Sequence, residues 1–364
     1  MGIFLFYKKV PLSRSISAPS VVSILRKILI KLSNGEASHV QVLTDVALDR
    51  TADLLHSVPF KDVTRGFRVT YTYAGLLKAL SILASHVREG SYSLGRLEDA
   101  LKVLDQILLM TGCPLFRTEV DLLISTIEKE LNNSNETWNP SQVEENLFKY
   151  SIVNLQNPPF VYYSVRKFLK PPSLDEFLSH LQTTCDPIII ENAMLDWPAT
   201  TTRPWSNLQY LLNTIGSKRS VPVEIGSRYT DEDWGQEIIT IQEFIQKYIL
   251  AESNENPKKN RYLAQHDLFS QIPLLRRDII IPDYCYCNGS SFDDIQVNAW
   301  FGPAGTTSPL HTDPHHNLFA QIVGYKYIRL YAPNQVEGLY PFESNSMLGN
   351  TSQVDMDAYH KKLQ

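Results

Sequence analysis

Cysteine is scarce in this sequence: Cys113, Cys185, Cys285 and Cys287 are its four thiols in 364 residues. That excludes a disulfide framework. The single C-x-C, Cys285 and Cys287, has no second pair with which to build a zinc site. The thiols are expected to stay reduced in an intracellular protein that is not secreted. Long apolar runs are missing too. No stretch approaches the ~20 residues of a membrane span, so no membrane partner is expected. The start, MGIFLFYKKVPLSRS, lacks a small-residue cleavage site, and Phe6 stands where a myristoylation motif needs Ser or Thr. An excess of positive charge is also absent. A net charge of −5 and a pI near 6.0 argue against direct nucleic-acid binding by bulk electrostatics. Pro257–Arg261 is too weak a basic cluster to serve as a nuclear signal.

What is present is a globular composition, 43% hydrophobic and 20% charged, at a length that suits two domains. Apolar residues recur at helical spacing in Val21–Leu32, His39–Leu55, Tyr73–His86, Leu94–Met110 and Phe116–Leu131. Gly90, Gly112 and Pro114 punctuate the later segments. Residues 1–153 are therefore expected to form an all-helical domain, with an extended linker over 154–170 around Pro158 and Pro159. His39, His56 and His86 are isolated there and suit surface positions better than ligand roles.

After the linker the texture changes. Ser173 to Glu176 and Thr240 to Glu243 read as capping boxes of short helices. Strands are predicted at Pro187–Ile190, Val221–Ile225, Ile295–Trp300 and Leu310–Asp313. Asn317–Val323 and Lys326–Tyr331, joined by Gly324 and Tyr325, predict a type II′ hairpin. Short strands with helical insertions make the whole chain α+β, its second domain spanning 171–364.

One triplet carries chemistry. In a strand His311 and Asp313 share a face while Thr312 points away. An imidazole and a carboxylate are two of the three ligands of the triad that binds Fe(II) with positions open to co-substrate and oxygen. The hairpin register puts Lys326 on one face with Asn317, near that pair. A lysine turned inward needs a negative partner, and a dicarboxylic acid such as 2-oxoglutarate would supply one.

The run NAWFGPAGTTSPLHTDPHHNLFAQIVGYKYIRLYAP, ending at Pro333, resembles the Jumonji-C family of 2-oxoglutarate oxygenases. So do Val221–Trp234, Tyr262–Pro273, Ile281–Cys285 and Leu348–Asp355, and the resemblance covers roughly Pro171 to Asp355. It implies a double-stranded β-helix of the cupin type. It also implies Fe(2+) as cofactor, held by His311 and Asp313, with 2-oxoglutarate and O2 as co-substrates. Lys326, with Tyr262, Ser308 and Asn317, would bind the keto acid. Glu224, Tyr229, Trp234 and Trp300 match positions lining an arginine pocket, where a carboxylate and aromatic walls suit a planar guanidinium. The implied reaction is hydroxylation of protein arginine or demethylation of methyl-lysine, histone tails included, in chromatin, transcription or cell-cycle regulation.

The third ligand in this family is a distal histidine on a later strand. Downstream of His316 stands only His360, in a polar tail that resembles no strand. The expectation is thus a barrel incomplete at its C-terminus. The alternative function is a catalytically inactive, truncated form acting as a protein-interaction module through the helical domain.

Overall fold

The computed structural model describes residues 19–59, 62–84, 93–133, 161, 163–184, 186–226, 228–231, 233–250, 260–287, 295–346 and 348–355. The chain divides into two compact units. One comprises Met1–Pro140 with Gly216–Pro222 and Ile238–Gln242; the other comprises the remainder.

In the first unit, α1 (Pro19–Ser33), α2 (Gln41–His56), α3 (Arg65–Ala84), α4 (Leu94–Thr111) and α5 (Arg117–Asn133) follow the periodic segments of the sequence. Each outer helix buries one stripe: Val21, Leu25, Ile28 and Leu32 on α1, and Val120, Ile124 and Ile127 on α5. By contrast, α3 is buried nearly all round, including Thr70, Thr72 and Ser81. Their hydroxyls are satisfied by backbone carbonyls of their own helix, Thr70 to Gly66 at 2.7 Å and Thr72 to Arg68 at 2.8 Å. Gly75 lets α3 approach α4, since a Cβ there would lie 2.6 Å from Cγ1 of Ile107. Gly112, at φ +66°, ends α4 in the left-handed region.

A buried ion pair ties the Gly216–Pro222 stretch to these helices. Asp105 on α4 is fully buried. Its carboxylate accepts from Arg219 Nε at 2.9 Å and from the Ser220 backbone N–H at 2.7 Å. Arg219 also lies 3.6 Å from Glu128, whose carboxyl is pushed up by burial and pulled back by that guanidinium. Sequence periodicity gives no hint of this link, because its partners lie more than a hundred residues apart.

In the second unit, β1 (Arg166–Phe168) runs parallel to β2 (Ile188–Ile190). The stretch expected as linker thus contributes a strand, while its portion 154–160 falls outside the described residues. The predicted capping box opens α6 (Leu174–Thr183): Ser173 Oγ accepts from Glu176 N at 3.2 Å, and the Glu176 carboxylate accepts from Ser173 N at 2.9 Å. Then come α7 (Leu208–Ile215), β3 (Ser220–Ile225) and β4 (Gly235–Thr240), of which Ser220–Pro222 and Ile238–Thr240 count with the first unit, and β5 (Arg261–His266) and β6 (Ala299–Phe301). The four strands form a sheet in the order β4-β3-β5-β6, antiparallel at β3–β5 and β5–β6. The protein is α+β, with a helical N-terminal region and a domain built on an antiparallel sheet.

Register sorts the sheet's side chains. Glu224 lies opposite Tyr262, and Leu263 opposite Phe301, with a bulge before the pairing of His266 with Ala299. Since alternate residues face opposite sides, Leu263, Phe301 and Val223 share one face, and Glu224, Tyr262 and Trp300 share the other. The first face is core, where Phe244 packs edge-on to Phe301 at 5.3 Å.

Two strand expectations fail here. Leu310–Asp313 is reduced to a bridge from His311 to Thr351. Pro309 and Pro314 bound it, and prolines cannot donate to a ladder. The hairpin over 317–331 forms no ladder among the described residues. Phe319, Val323, Tyr327, Ile328 and Leu330 are all exposed there. A two-stranded hairpin is marginal without a third strand or a packing face, and no described residue supplies either. Gly324 does adopt the positive φ expected of it, +77°.

Candidate active site

Two clusters of side chains come together. The first is built on the sheet face that carries Tyr262. Its ring is 7% exposed, and the site face of β6 must leave room for it. Gly302, just past β6, does so, since a Cβ there would fall 2.5 Å from the ring's Cδ2. The Tyr262 hydroxyl accepts a hydrogen bond from Lys326 Nζ at 2.9 Å. The same ammonium lies 5.5 Å from the centroids of both the Tyr262 and Phe319 rings. Burial, with Glu224 adding a smaller push, raises the Tyr262 phenol to about 12, so it stays neutral. Burial pulls the Lys326 amine down from its usual range, although much of the side chain is open to solvent. Among the described residues no carboxylate pairs with Lys326. A partly desolvated ammonium beside a neutral hydroxyl is an anion receptor.

Across the strand from Tyr262, Glu224 is half-buried, and burial raises its carboxyl above the usual range. A hydrogen bond from Trp234 opposes that shift. No cation meets Glu224 among the described residues. Trp300 shares its sheet face and is 38% exposed; Trp234 is 36% exposed. This is the complement of the Lys326 site: an unneutralised carboxylate beside open aromatic surface.

The second cluster is held by a small ladder. Thr312 N donates to Asn350 O at 2.8 Å, Ser352 N to Leu310 O at 2.8 Å, and the Asn350 amide to Thr312 O at 2.9 Å. These bonds fix the backbone on both sides of His311. Its Nδ1 lies 2.7 Å from Pro309 O. A carbonyl can only accept, so Nδ1 carries the proton and a neutral ring keeps its lone pair on Nε2. That Nε2 stands 3.8 Å from Asp313 Oδ2. Orientation of a ligating histidine by a backbone carbonyl is the usual support of a metal site. Among the described residues no group of three or more His, Cys, Asp or Glu side chains converges. The donor set is therefore one imidazole and one carboxylate, both partly exposed. These fit two protein ligands of a ferrous ion, with further positions left to other donors. His315 and His316 are exposed, and His360 lies outside the described residues.

Tyr229 links the clusters. Its hydroxyl shares a hydrogen bond with Thr351 Oγ1 at 3.2 Å, and its ring stands edge-on to His311 at 6.4 Å. Burial raises its phenol, and Glu224 and Asp313 both add to the rise, so it lies within electrostatic reach of each. Ser308 and Asn317 are exposed and make no side-chain hydrogen bond among the described residues. The hairpin register that would set Asn317 beside Lys326 is absent among the described residues, and the Phe319 ring lies 5.5 Å from the Lys326 ammonium. Sequence reasoning missed Gly302, Thr351 and Asn350. Of these only Gly302, a glycine between a strand and Pro303, left a readable signal.

Comparison with known proteins gives the family. Residues 174–363 match the family described as Cupin-like domain. The chain is 38% identical over 325 residues to lysine-specific demethylase 8 of Danio rerio, covering 88% of this chain and 75% of the relative. It is 36% identical over 365 residues to lysine-specific demethylase JMJ30 of Arabidopsis thaliana, covering 95% and 80%. Against Jumonji C domain-containing protein 5 of Drosophila melanogaster it is 42% identical over 188 residues, covering 51% and 46%. The chain belongs to the JmjC family of 2-oxoglutarate/Fe(II) oxygenases, which carry a cupin-like domain.

Proposed function

We propose that this protein hydroxylates the side chain of arginine in a protein or peptide substrate, using Fe(2+), 2-oxoglutarate and O2. Bound iron and keto acid supply the oxidising chemistry and release CO2. His311 and Asp313 would hold the metal. Lys326 and Tyr262, joined by Ser308 and Asn317 from the 308–317 loop, would bind the keto acid's carboxylates. Glu224 would orient the guanidinium through a two-point ion pair, while Trp234, Trp300 and Tyr229 flank it and exclude water.

The observation that carries this reading is Glu224: a half-buried carboxylate with an indole donor and, among the described residues, no cation, on one face with Trp300. Such a group asks for a planar cation. A second reading, demethylation of methyl-lysine, is favoured by the names of the relatives and by the same aromatic surface, which also suits a methylated ammonium. Histone tails, rich in both residues, are substrates to try first, and nuclear and/or cytoplasmic residence goes with them. Matched arginine and methyl-lysine peptides, incubated with enzyme, iron and 2-oxoglutarate, decide by mass spectrometry. Gain of one oxygen on arginine is expected. Loss of methyl from lysine with arginine untouched would replace the first reading by the second.

A further inference from the structure

The loop that follows β3 is tied at two points to the segment that fixes His311. After Glu224 and Ile225 the chain turns. Gly226 N donates to Asn260 O and Asp231 N to Arg228 O, both at 3.2 Å, and Trp234 N donates to Asp231 O at 3.1 Å. The turn brings Trp234 back to hydrogen-bond the Glu224 carboxylate. The other party is the segment Asn350–Asp355, the middle one of three short stretches. Thr351 bridges to His311, and Ser352 bridges to Pro341. Phe342 N donates to Thr351 O and Gln353 N to Tyr340 O, both at 2.9 Å. This strap is therefore held by backbone bonds of its own.

Both ties between loop and strap are made by side chains. The first is the contact of the Tyr229 hydroxyl with Thr351 Oγ1 at 3.2 Å. The Thr351 hydroxyl also lies 3.2 Å from Asn350 Oδ1, which can only accept, so its proton goes there and the phenol donates. One neutral hydrogen bond of that length sets a distance and leaves the loop free to pivot. The residue before it removes that freedom: Arg228 Nη1 pairs with Asp355 Oδ2. The arginine side chain is 21% exposed and the aspartate 44%. A pair this open adds little to global stability. What it controls is local, namely where Tyr229 and Trp234 stand relative to Glu224 and His311.

We infer that Arg228 and Asp355 are positioning residues, whose ion pair latches the aromatic loop to the strap so that Tyr229 and Trp234 receive the basic side chain of the substrate. The inference rests on the substrate reading proposed above and names what holds that pocket in register with the metal site. With the latch open, Tyr229 hangs on one hydrogen bond and the loop can carry Trp234 away from Glu224. His311 keeps its backbone ladder, and Lys326 keeps Tyr262. The loss therefore falls on substrate binding and spares both metal and keto acid.

The test uses the full chain and two measurements. Hydrogen exchange, read by mass spectrometry without substrate, follows the amides of residues 226–234. Calorimetric titrations give the affinities for Mn(II), for 2-oxoglutarate, and for fluorescein-free arginine and trimethyl-lysine peptides with both present. Asp355→Asn and Arg228→Ala should each speed exchange of the loop about fivefold and weaken binding of the preferred peptide by a similar factor. Their affinities for Mn(II) and 2-oxoglutarate should stay as in the unaltered chain. Arg228→Lys should recover part of the loss, and the charge swap Arg228→Asp with Asp355→Arg should recover more than either single change. Lys167→Ala breaks an exposed ion pair of the same unit, to Glu191 at 3.1 Å, and should alter neither reading. Unchanged exchange in the single variants would overturn the proposal. So would faster exchange with unchanged peptide affinity, or an equal loss of 2-oxoglutarate binding, which would mark general damage. Binding of neither peptide by the unaltered chain would overturn the substrate reading, and this role with it. The two failures are told apart because exchange is read without substrate.

Discussion

Replacing Lys326 by Met separates what this residue does for a ligand from what it does for the fold. The amine hydrogen-bonds Tyr262 at 2.9 Å, has no carboxylate partner among the described residues, and has its pKa pulled down by burial. Truncating one side of a desolvated charge pair costs about 2–5 kcal/mol. The variant should therefore bind 2-oxoglutarate roughly 30-fold more weakly or worse. Its effect on stability should be small. A folded-state pKa below the unfolded value means that the folded protein binds this proton less well. The charged amine thus costs stability at neutral pH, and the cost fades as pH rises through the folded pKa toward the unfolded one. Methionine removes that cost and gives up one hydrogen bond worth about 0.5–1.5 kcal/mol. The two changes oppose, so the unfolding free energy should move by no more than about 1 kcal/mol. Calorimetric titration of 2-oxoglutarate with Mn(II) present reads the first quantity. Urea unfolding between pH 6 and 9.5, where Tyr262 stays protonated in the folded state, reads the second. Unchanged affinity, or a loss of stability beyond about 2 kcal/mol, would refute the reasoning.

Gly302→Ala sets a methyl 2.5 Å from the Tyr262 ring, so it should destabilise by about 1–3 kcal/mol and weaken 2-oxoglutarate binding as the ring shifts; thermal melts and the same titration check both. Glu224→Gln works in the opposite pH sense to Lys326. Its folded pKa is raised, so its favourable contribution is complete below the unfolded value near 4.3 and is lost as pH rises through the folded value. The variant should therefore be more stable than the parent at pH 7, with no difference at pH 4, while losing its preference for arginine peptides; a flat difference across that range would contradict the burial argument. Asp105→Asn leaves the Arg219 guanidinium buried without its main partner, which should cost about 3–5 kcal/mol in urea unfolding.

The helical half was legible because its signal is local. A stripe such as Val21, Leu25, Ile28 and Leu32 is written in consecutive turns, and Gly112 marks the end of α4 by its own backbone freedom. The Ser173 capping box was legible for the same reason. Where pairing depends on distant chain, the sequence misled. The apolar alternation of 317–331 is that of a hairpin, yet no described strand lies against it. Of the candidate site, His311 and Asp313 stand 3.8 Å apart, as two residues on one face of an extended segment can, and Lys326 hydrogen-bonds Tyr262, a contact that the spacing in sequence does not announce. Thr351 could not be found, because its role is to pair with His311 from forty residues away and to hold Tyr229 from 122 residues away.

Tyr262 explains how the site keeps two charges of opposite sign unneutralised. Lys326 bonds to its hydroxyl, and Glu224 is its cross-strand neighbour, yet the two form no ion pair. Had they met, each would have satisfied the other, and neither would attract a ligand. A buried phenol held neutral, with its pKa near 12, can accept from the lysine without taking its charge. Each charge then bears its own desolvation cost, and each can be relieved only from outside: the lysine by an anion, the carboxylate by a cation. A reaction that joins an acidic co-substrate to a basic side chain needs that separation, and Gly302, by making room for the ring, is what permits it.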